Sequence, residues 1–196
     1  MFSGIIRHSG TVTAITRRKS EDVCLSIDAH DLGASLSPGD SVACDGVCLT
    51  VADIEETIVH FDVMPVSLDK TNLGSKQIGD RINLETSLRV GDKVDGHFVY
   101  GHVDGVGKVR KIESSGESTL MTFRTPESVR PYIAPQGSIA VNGVSLTIAK
   151  YEELLFTVSL VAYTMDHTNL SDLRIGSPVN IEADMLAKYV NRKVRT

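Results

Sequence analysis

The sequence predicts an all-β fold of two similar six-stranded barrels in tandem, followed by a C-terminal α-helix. Three observations carry this. The 196-residue chain matches itself without a gap at an offset of 97 residues. Within each half, apolar residues alternate with the period of two that marks strands. From Met185 onward the spacing changes to that of an amphipathic helix.

Residues 39–88 lie over 136–185 with 17 identities in 50 positions. These include Ser41/Ser138, Gly46/Gly143, Thr50/Thr147, Thr71-Asn72-Leu73/Thr168-Asn169-Leu170, Asn83/Asn180 and Glu85/Glu182. The front of each half matches more weakly in the same register, at Gly4/Gly101, Gly10/Gly107 and Val12/Val109. A solenoid needs three or more short repeats, so two long ones mean a duplicated domain. The division runs 1–97 for the first barrel, 98–186 for the second and 187–196 for the end of the helix.

In chain order, strands are expected at 11–16 and 22–28. Then come Val42-Ala43-Cys44, Val47–Val51, Ile58–Val63 and Arg81–Glu85. Asp45-Gly46 and Asn142-Gly143 sit between β runs as two-residue hairpin turns. Brief helices are expected at 64–70 and 161–167, ahead of each Thr-Asn-Leu. About six short strands per half suit a small closed barrel, which also removes exposed strand edges. The tail carries apolar residues at 185, 186, 189, 190 and 194, has no counterpart in the first half, and is assigned to assembly.

Composition excludes several functions. Twenty basic against 25 acidic residues give a net charge of −5, with no basic block longer than Arg17-Arg18-Lys19. That argues against nucleic acid as a partner. Apolar runs are too short for a membrane span, and the N-terminus turns polar too early for a signal peptide. Three cysteines (24, 44 and 48) are too few for a disulfide framework, and a soluble, cytoplasmic setting is expected. No zinc spacing is present, and His97 and His102, five apart, point to opposite faces if they lie on a strand. No metal site is expected. Cys24 and Cys44 are read as small buried hydrophobes. Cys48 differs, because the second half carries Ser145 at its position, each followed two residues later by threonine; likewise His102 stands where the first half has Ile5. Equivalent pockets with unlike reactive groups suit two similar ligands in different chemical roles. Interchangeable core residues are the plainer explanation of the same pair.

The ordered motifs resemble the riboflavin synthase family of the duplicated, Greek-key barrel type. They are Met1-Phe2-Ser3-Gly4-Ile5-Ile6, Asp45-Gly46-Val47-Cys48-Leu49-Thr50-Val51, Thr71-Asn72-Leu73-Gly74, Gly96-His97-Phe98-Val99-Tyr100-Gly101-His102-Val103-Asp104-Gly105 and Asn142-Gly143-Val144-Ser145-Leu146-Thr147. The resemblance implies a transferase that converts two molecules of 6,7-dimethyl-8-ribityllumazine into riboflavin and 5-amino-6-ribitylaminopyrimidinedione, with no cofactor. It implies a homotrimer, with each active site between the first barrel of one subunit and the second barrel of the next, and an association with lumazine synthase in some assemblies. Carried onto this chain, the catalytic positions are Ser41, Cys48, His102, Ser145, Thr147 and Asp184. The substrate-contacting positions are Gly4, Ile5, Ile6, Cys48, Leu49, Thr50, Asp62, Val63, Met64, Pro65, Val66 and Ser67, with Gly101, His102 and Val103. Their second-barrel counterparts are Gln136, Ser145, Leu146, Thr147, Ser159, Leu160, Val161, Ala162, Tyr163 and Thr164.

Three positions depart from that family's pattern. Gln136 replaces a lysine, Val66 a glutamate, and Asp95 a glycine. The alternative from another class is a non-catalytic lumazine- or flavin-binding protein of the same fold. Retention of His102, Ser145, Thr147 and Asp184 favours the enzyme.

Overall fold

The computed structural model describes residues 1–17 and 22–194. The first half forms β1 (His8–Arg17), β2 (Val23–Asp28), β3 (Ser41–Cys44), β4 (Val47–Glu55), β5 (Ile58–Val63), helix α1 (Pro65–Lys70) and β6 (Arg81–Thr86). The second forms β7 (Gly105–Ser115), β8 (Ser118–Arg124), β9 (Ser138–Val141), β10 (Val144–Glu152), β11 (Leu155–Leu160), α2 (Ala162–His167) and β12 (Pro178–Ala183), followed by α3 (Met185–Val194). Each half closes into an antiparallel barrel, in the orders β1-β2-β5-β4-β3-β6 and β7-β8-β11-β10-β9-β12. In the first barrel β2 lies beside β5 at the far side of the β3-β4-β5 meander, which is a Greek key. Bulges fall at the same places in both, at Val12/Ala14 and Val51/Asp53 and again at Val109/Lys111 and Ile148/Lys150. They supply the bend that closure of a short-stranded barrel requires.

Alternating residues fill each barrel. Leu25, Ile27, Val42, Val59, Phe61, Ile82 and Leu84 are buried in the first. Val109, Phe123, Ile139, Val141, Phe156, Val158 and Ile181 are buried in the second, where the Phe123 and Phe156 rings stack at 5.3 Å. Two residues cross over. Ile6, from the first half, is buried in the second core, while Val103, its repeat equivalent, packs on the first.

The barrels meet about a local twofold axis, hairpin against hairpin. Asp45 and Gly46 have φ of +47° and +76°, and Asn142 and Gly143 have +46° and +79°. Positive φ at both central residues is the twist of the primed turn that Asp-Gly and Asn-Gly favour. A Cβ on Gly46 would lie 2.6 Å from the Gly143 nitrogen, and one on Gly143 would lie 2.8 Å from the Gly46 nitrogen. Only glycine lets the two turns touch.

Around this contact the repeated asparagines exchange hydrogen bonds across the axis. The Asn72 N–H donates to Asn180 Oδ1 at 2.6 Å, and the Asn169 N–H donates to Asn83 Oδ1 at 2.7 Å. Asp45, fully buried, accepts from the Asn83 N–H at 2.9 Å and from Asn169 Nδ2 at 2.7 Å, and pairs with Lys76 Nζ at 2.7 Å. The second half has Asn142 and Leu173 at these two positions, so the ion pair belongs to one side of an otherwise symmetric network.

α3 is tied to the second barrel by Lys188 Nζ to Asp104 at 2.7 Å and by Asn191 Nδ2 to the Pro131 carbonyl at 2.9 Å. The helix forms as the amphipathic spacing predicts, and Leu186, Tyr189 and Val190 of its apolar stripe are exposed. The side chains of residues 193 and 194 and residues 195–196, also assigned to this helix from the sequence, lie outside the described residues. Among the described residues no helix is long and apolar enough to cross a membrane.

Candidate functional site

Each barrel has a fork where two paired strands part. The β4–β5 ladder stops at Val51↔Phe61, and the β10–β11 ladder stops at Ile148↔Val158. Beyond these points Cys48–Thr50 pair with β3 alone and Asp62–Val63 with β2 alone. In the second barrel Ser145–Thr147 pair with β9 and Ser159–Leu160 with β8. The hairpin fixes which backbone groups face the gap. Alternation from the Cys44↔Val47 turn pair directs the Leu49 amide groups to β3 and those of Cys48 and Thr50 away from it. Thr50, and by the same register Thr147, therefore offers N–H and C=O to whatever enters its fork.

The mouth of each fork is lined by the following helix. Asp62, Met64 and Val66 are exposed at the first, with Pro65 and Ser67 half-buried and Val63 turned into the core. Ser159, Val161, Ala162 and Tyr163 are exposed at the second, with Thr164 half-buried and Leu160 in the core. Leu49 and Leu146 face their barrel interiors. Ser41 stands opposite Thr50 on β3. Gln136 is exposed and adopts φ +63°, where its repeat equivalent, Gly39, has +95°.

The floor of each fork comes from the other half. The Ser145 N–H donates to the Gly4 carbonyl at 2.8 Å, and the Cys48 N–H donates to the Gly101 carbonyl at 3.0 Å. A Cβ on Gly4 would lie 2.6 Å from Ser145 Cβ, and one on Gly101 would lie 2.5 Å from Cys48 Cβ. Gly4-Ile5-Ile6 thus belong to the second fork, and Gly101-His102-Val103 to the first.

Two buried glutamates pin these segments. Glu85 accepts from Ser3 N–H (2.8 Å), Ser3 Oγ (2.7 Å) and Gly4 N–H (3.0 Å). Glu182 accepts from the N–H groups of Tyr100 (2.7 Å), Gly101 (2.9 Å) and His102 (3.1 Å). Burial raises both carboxyls above the ordinary range against the pull of those donors. This explains why the two glutamates are identical in the repeat.

The reactive groups differ between the forks. Cys48 is half-buried, and His102, exposed, follows its Gly101 contact, with its ring 6.1 Å from that of Tyr100. At the second fork Ser145 Oγ lies 2.7 Å from Nδ1 of His97. His97 is 8% exposed, and among the described residues its Nε2 has no hydrogen-bond partner. Burial lowers its pKa, opposed by the negative charge of Asp184. Asp184 immediately precedes α3, and its Oδ1 accepts from the Leu186 N–H at 2.9 Å.

From the sequence His97 was weighed only as a metal ligand, beside His102, and was not among the candidate catalytic or substrate-contacting residues. The segment holding it is not a ladder strand but an extended stretch held to the N-terminal segment by the Val99–Phe2 bridge and by the His97 N–H, which donates to the Ser3 carbonyl at 3.1 Å. His97 and His102 accordingly serve different barrels. Of the other cysteines, Cys44 is fully buried, which pushes its thiol well up, whereas Cys24 is half-buried rather than a core residue.

Two hollows border the forks, the first at Ile5 and the second at Pro65. One, of about 290 Å³, is lined by Ser3, Ile5, Arg7, Glu85, Lys93 and Asp95; it adjoins the Ile5 segment without reaching Ser145. A groove of about 800 Å³ runs between Leu68–Lys76 and Val106, Lys108 and Pro178.

Two closed Greek-key barrels joined about a local twofold axis, each with a parted strand pair, define the class as a duplicated-barrel protein. The lumazine binding domain matches this chain twice, over residues 3–87 and 100–184. The chain belongs to the riboflavin synthase family. It is 36% identical over 192 residues to the riboflavin synthase of Bacillus subtilis, covering 98% of this chain and 89% of that one. Identity to the Chlamydia muridarum enzyme is 39% over 188 residues, covering 96% and 92%. The Brucella abortus enzyme is 36% identical over 197 residues, covering 98% and 97%. Among solved structures, LumP complexed with riboflavin superposes with a TM-score of 0.87 at 25% identity, over 93% of this chain and 99% of that one. LumP complexed with 6,7-dimethyl-8-(1'-D-ribityl) lumazine gives 0.84 at 24% identity over the same shares, a likeness of fold.

Proposed function

We propose that the protein binds one 6,7-dimethyl-8-ribityllumazine at each kind of fork and moves a four-carbon unit from one to the other. The products are riboflavin and 5-amino-6-ribitylaminopyrimidinedione. The observation that carries this is the pairing of like slots with unlike chemistry. Cys48 faces Ser145 in the alignment, Ile5 faces His102, and Ser87 faces Asp184. Two identical molecules must play different parts in such an exchange, and only unlike surroundings can make them differ. Atoms and electrons balance between the two copies, so no external oxidant or reductant enters.

The reaction needs a base for the acidic C7 methyl of one ring and a nucleophile at C7 of the other. His102, Asp184, Cys48 and Ser145 supply groups of these types, and Ser41 and Thr147 supply hydroxyls beside them. The amide groups of Thr50 and Thr147 suit the pyrimidinedione edge of the ligand. Much of the acceleration comes from holding two rings in register.

One chain does not enclose either slot. Met64 at the first mouth is 60% exposed and Tyr163 at the second 64%, whereas small-ligand sites bury most of their ligand. A trimer that sets the first fork of one subunit against the second fork of its neighbour covers both, and the exposed stripe of α3 suits its assembly. Three free cysteines fit a reducing cytoplasm.

The test is to incubate the protein with 6,7-dimethyl-8-ribityllumazine alone. Riboflavin should form without additives and in the presence of a chelator. Lumazine that binds and stays unchanged would show instead a binding protein of the LumP kind.

A further inference from the structure

We propose that His167 is a positioning residue for the second fork, holding the ring of Tyr163 in one orientation at its mouth. What that ring does for a ligand rests on the reading of the forks given above; the pair itself rests on geometry. Both residues lie on α2, the short helix that follows β11 where the fork opens. Their rings stack with centroids 3.9 Å apart and planes 16° from parallel. His167 Nδ1 also lies 2.8 Å from the Tyr163 carbonyl. A carbonyl can only accept, so Nδ1 carries a proton and donates it, which fixes the imidazole plane. The imidazole, anchored one helical turn on, in turn holds one face of the tyrosine.

The pair belongs to the second fork alone. At the repeat-equivalent positions the first fork has Val66 and Lys70, neither of which carries a ring. The bond from Thr168 Oγ1 to the Thr164 carbonyl (2.7 Å) recurs as Thr71 Oγ1 to the Ser67 carbonyl (2.6 Å), so the two helices share a scaffold and the stack is an addition to one of them. α2 has a further tie, since Arg81 Nη2 of the first barrel donates to the Asp166 carbonyl at 3.5 Å. The repeat places Pro178 opposite Arg81, and a proline side chain cannot return that bond to α1. Tyr163 nonetheless remains 64% exposed, so the surface that His167 leaves uncovered is open to a flat, conjugated ring. A tyrosine already held spares such a ligand the cost of immobilising a free side chain, an effect of about 2- to 12-fold in affinity.

The test uses variants of the full chain. His167→Ala should raise KM for riboflavin formation about fivefold, with kcat at saturation changed less than about twofold. His167→Phe, which keeps a ring to stack and loses the donor, should recover most of that affinity. Tyr163→Val, which copies the first fork, should weaken binding at least as much, and adding His167→Ala to it should change KM no further. An unchanged KM in His167→Ala would overturn the proposal. So would a fivefold loss that persists in the Tyr163→Val background, because His167 would then act on the ligand without the tyrosine. If the wild type makes no riboflavin, the function proposed above fails, but the pair is still tested. The Tyr163 ring protons, shielded by the stacked imidazole, should move downfield in His167→Ala, and unmoved resonances would refute it.

Discussion

The Asp45–Lys76 ion pair is the sharpest place to perturb the joint that sets the two forks relative to each other. Asp45 is fully buried, and the Lys76 side chain is 12% exposed, so little solvent screens the pair. Replacing Asp45 by asparagine, the residue of the second half, leaves an ammonium buried against the Arg81 carbonyl at 3.2 Å with no anion. Removing one partner of a buried pair costs about 3–5 kcal/mol; partial escape of a lysine tip places this one near the lower end, about 3 kcal/mol. For a chain of this size that lowers the thermal midpoint by about 6–12 °C. Lys76→Leu leaves the carboxylate its asparagine donors, at about 2 kcal/mol. The double variant Asp45→Asn/Lys76→Leu rebuilds the Asn142/Leu173 arrangement of the second half and should lose no more than about 1 kcal/mol. The cycle thus contains a coupling of about 4 kcal/mol, far above the scatter of independent sites. Denaturant titration of the four proteins measures it. Single losses that simply add in the double variant would refute the claim that the symmetric, uncharged joint is a stable alternative.

Further predictions follow from the forks and from the helix. Gly4→Ala and Gly101→Ala each combine left-handed backbone with overpacking against Ser145 or Cys48, costing about 2–4 kcal/mol by denaturant titration and abolishing riboflavin formation. Glu85 has its carboxyl raised by burial, so its contribution to stability is full below the ordinary carboxylate range and is lost as pH rises through the raised pKa. Glu85→Gln should remove that decline from a plot of thermal midpoint against pH, and a slope unchanged from wild type would show that the carboxyl is not raised. Tyr189→Glu places a charge on the exposed apolar stripe of α3, and sedimentation should show a shift from the proposed trimer toward monomer with activity lost in step. A fully active monomer would contradict a site shared between subunits. Cys48→Ser retaining most of the activity that Cys48→Ala loses would assign a hydrogen-bonding role to that position rather than a thiolate attack.

What the sequence determined by itself is everything that depends on near neighbours or on the repeat. Period-two alternation marks the strands, Asp45-Gly46 and Asn142-Gly143 mark the tight turns, and the spacing after Met185 marks the helix, because each is dictated by local backbone geometry. The 97-residue offset gives the two barrels and the unlike pair Cys48 and Ser145. The tertiary structure alone decided how the halves meet. Polar identities such as Asn72/Asn169, Asn83/Asn180 and Glu85/Glu182 are more than a β core needs, and that surplus was the readable trace of a twofold joint. The asparagines find partners across the axis, at separations as large as the 135 residues between Asn180 and Asp45, where no local preference reaches. The exchange of Gly4 onto Ser145 and Gly101 onto Cys48 has the same origin. His97 was hidden for a related reason: strand alternation describes a residue only relative to its own sheet, and its segment belongs to none. Its hydrogen bond to Ser145 exists only once the connector has been laid across the second barrel.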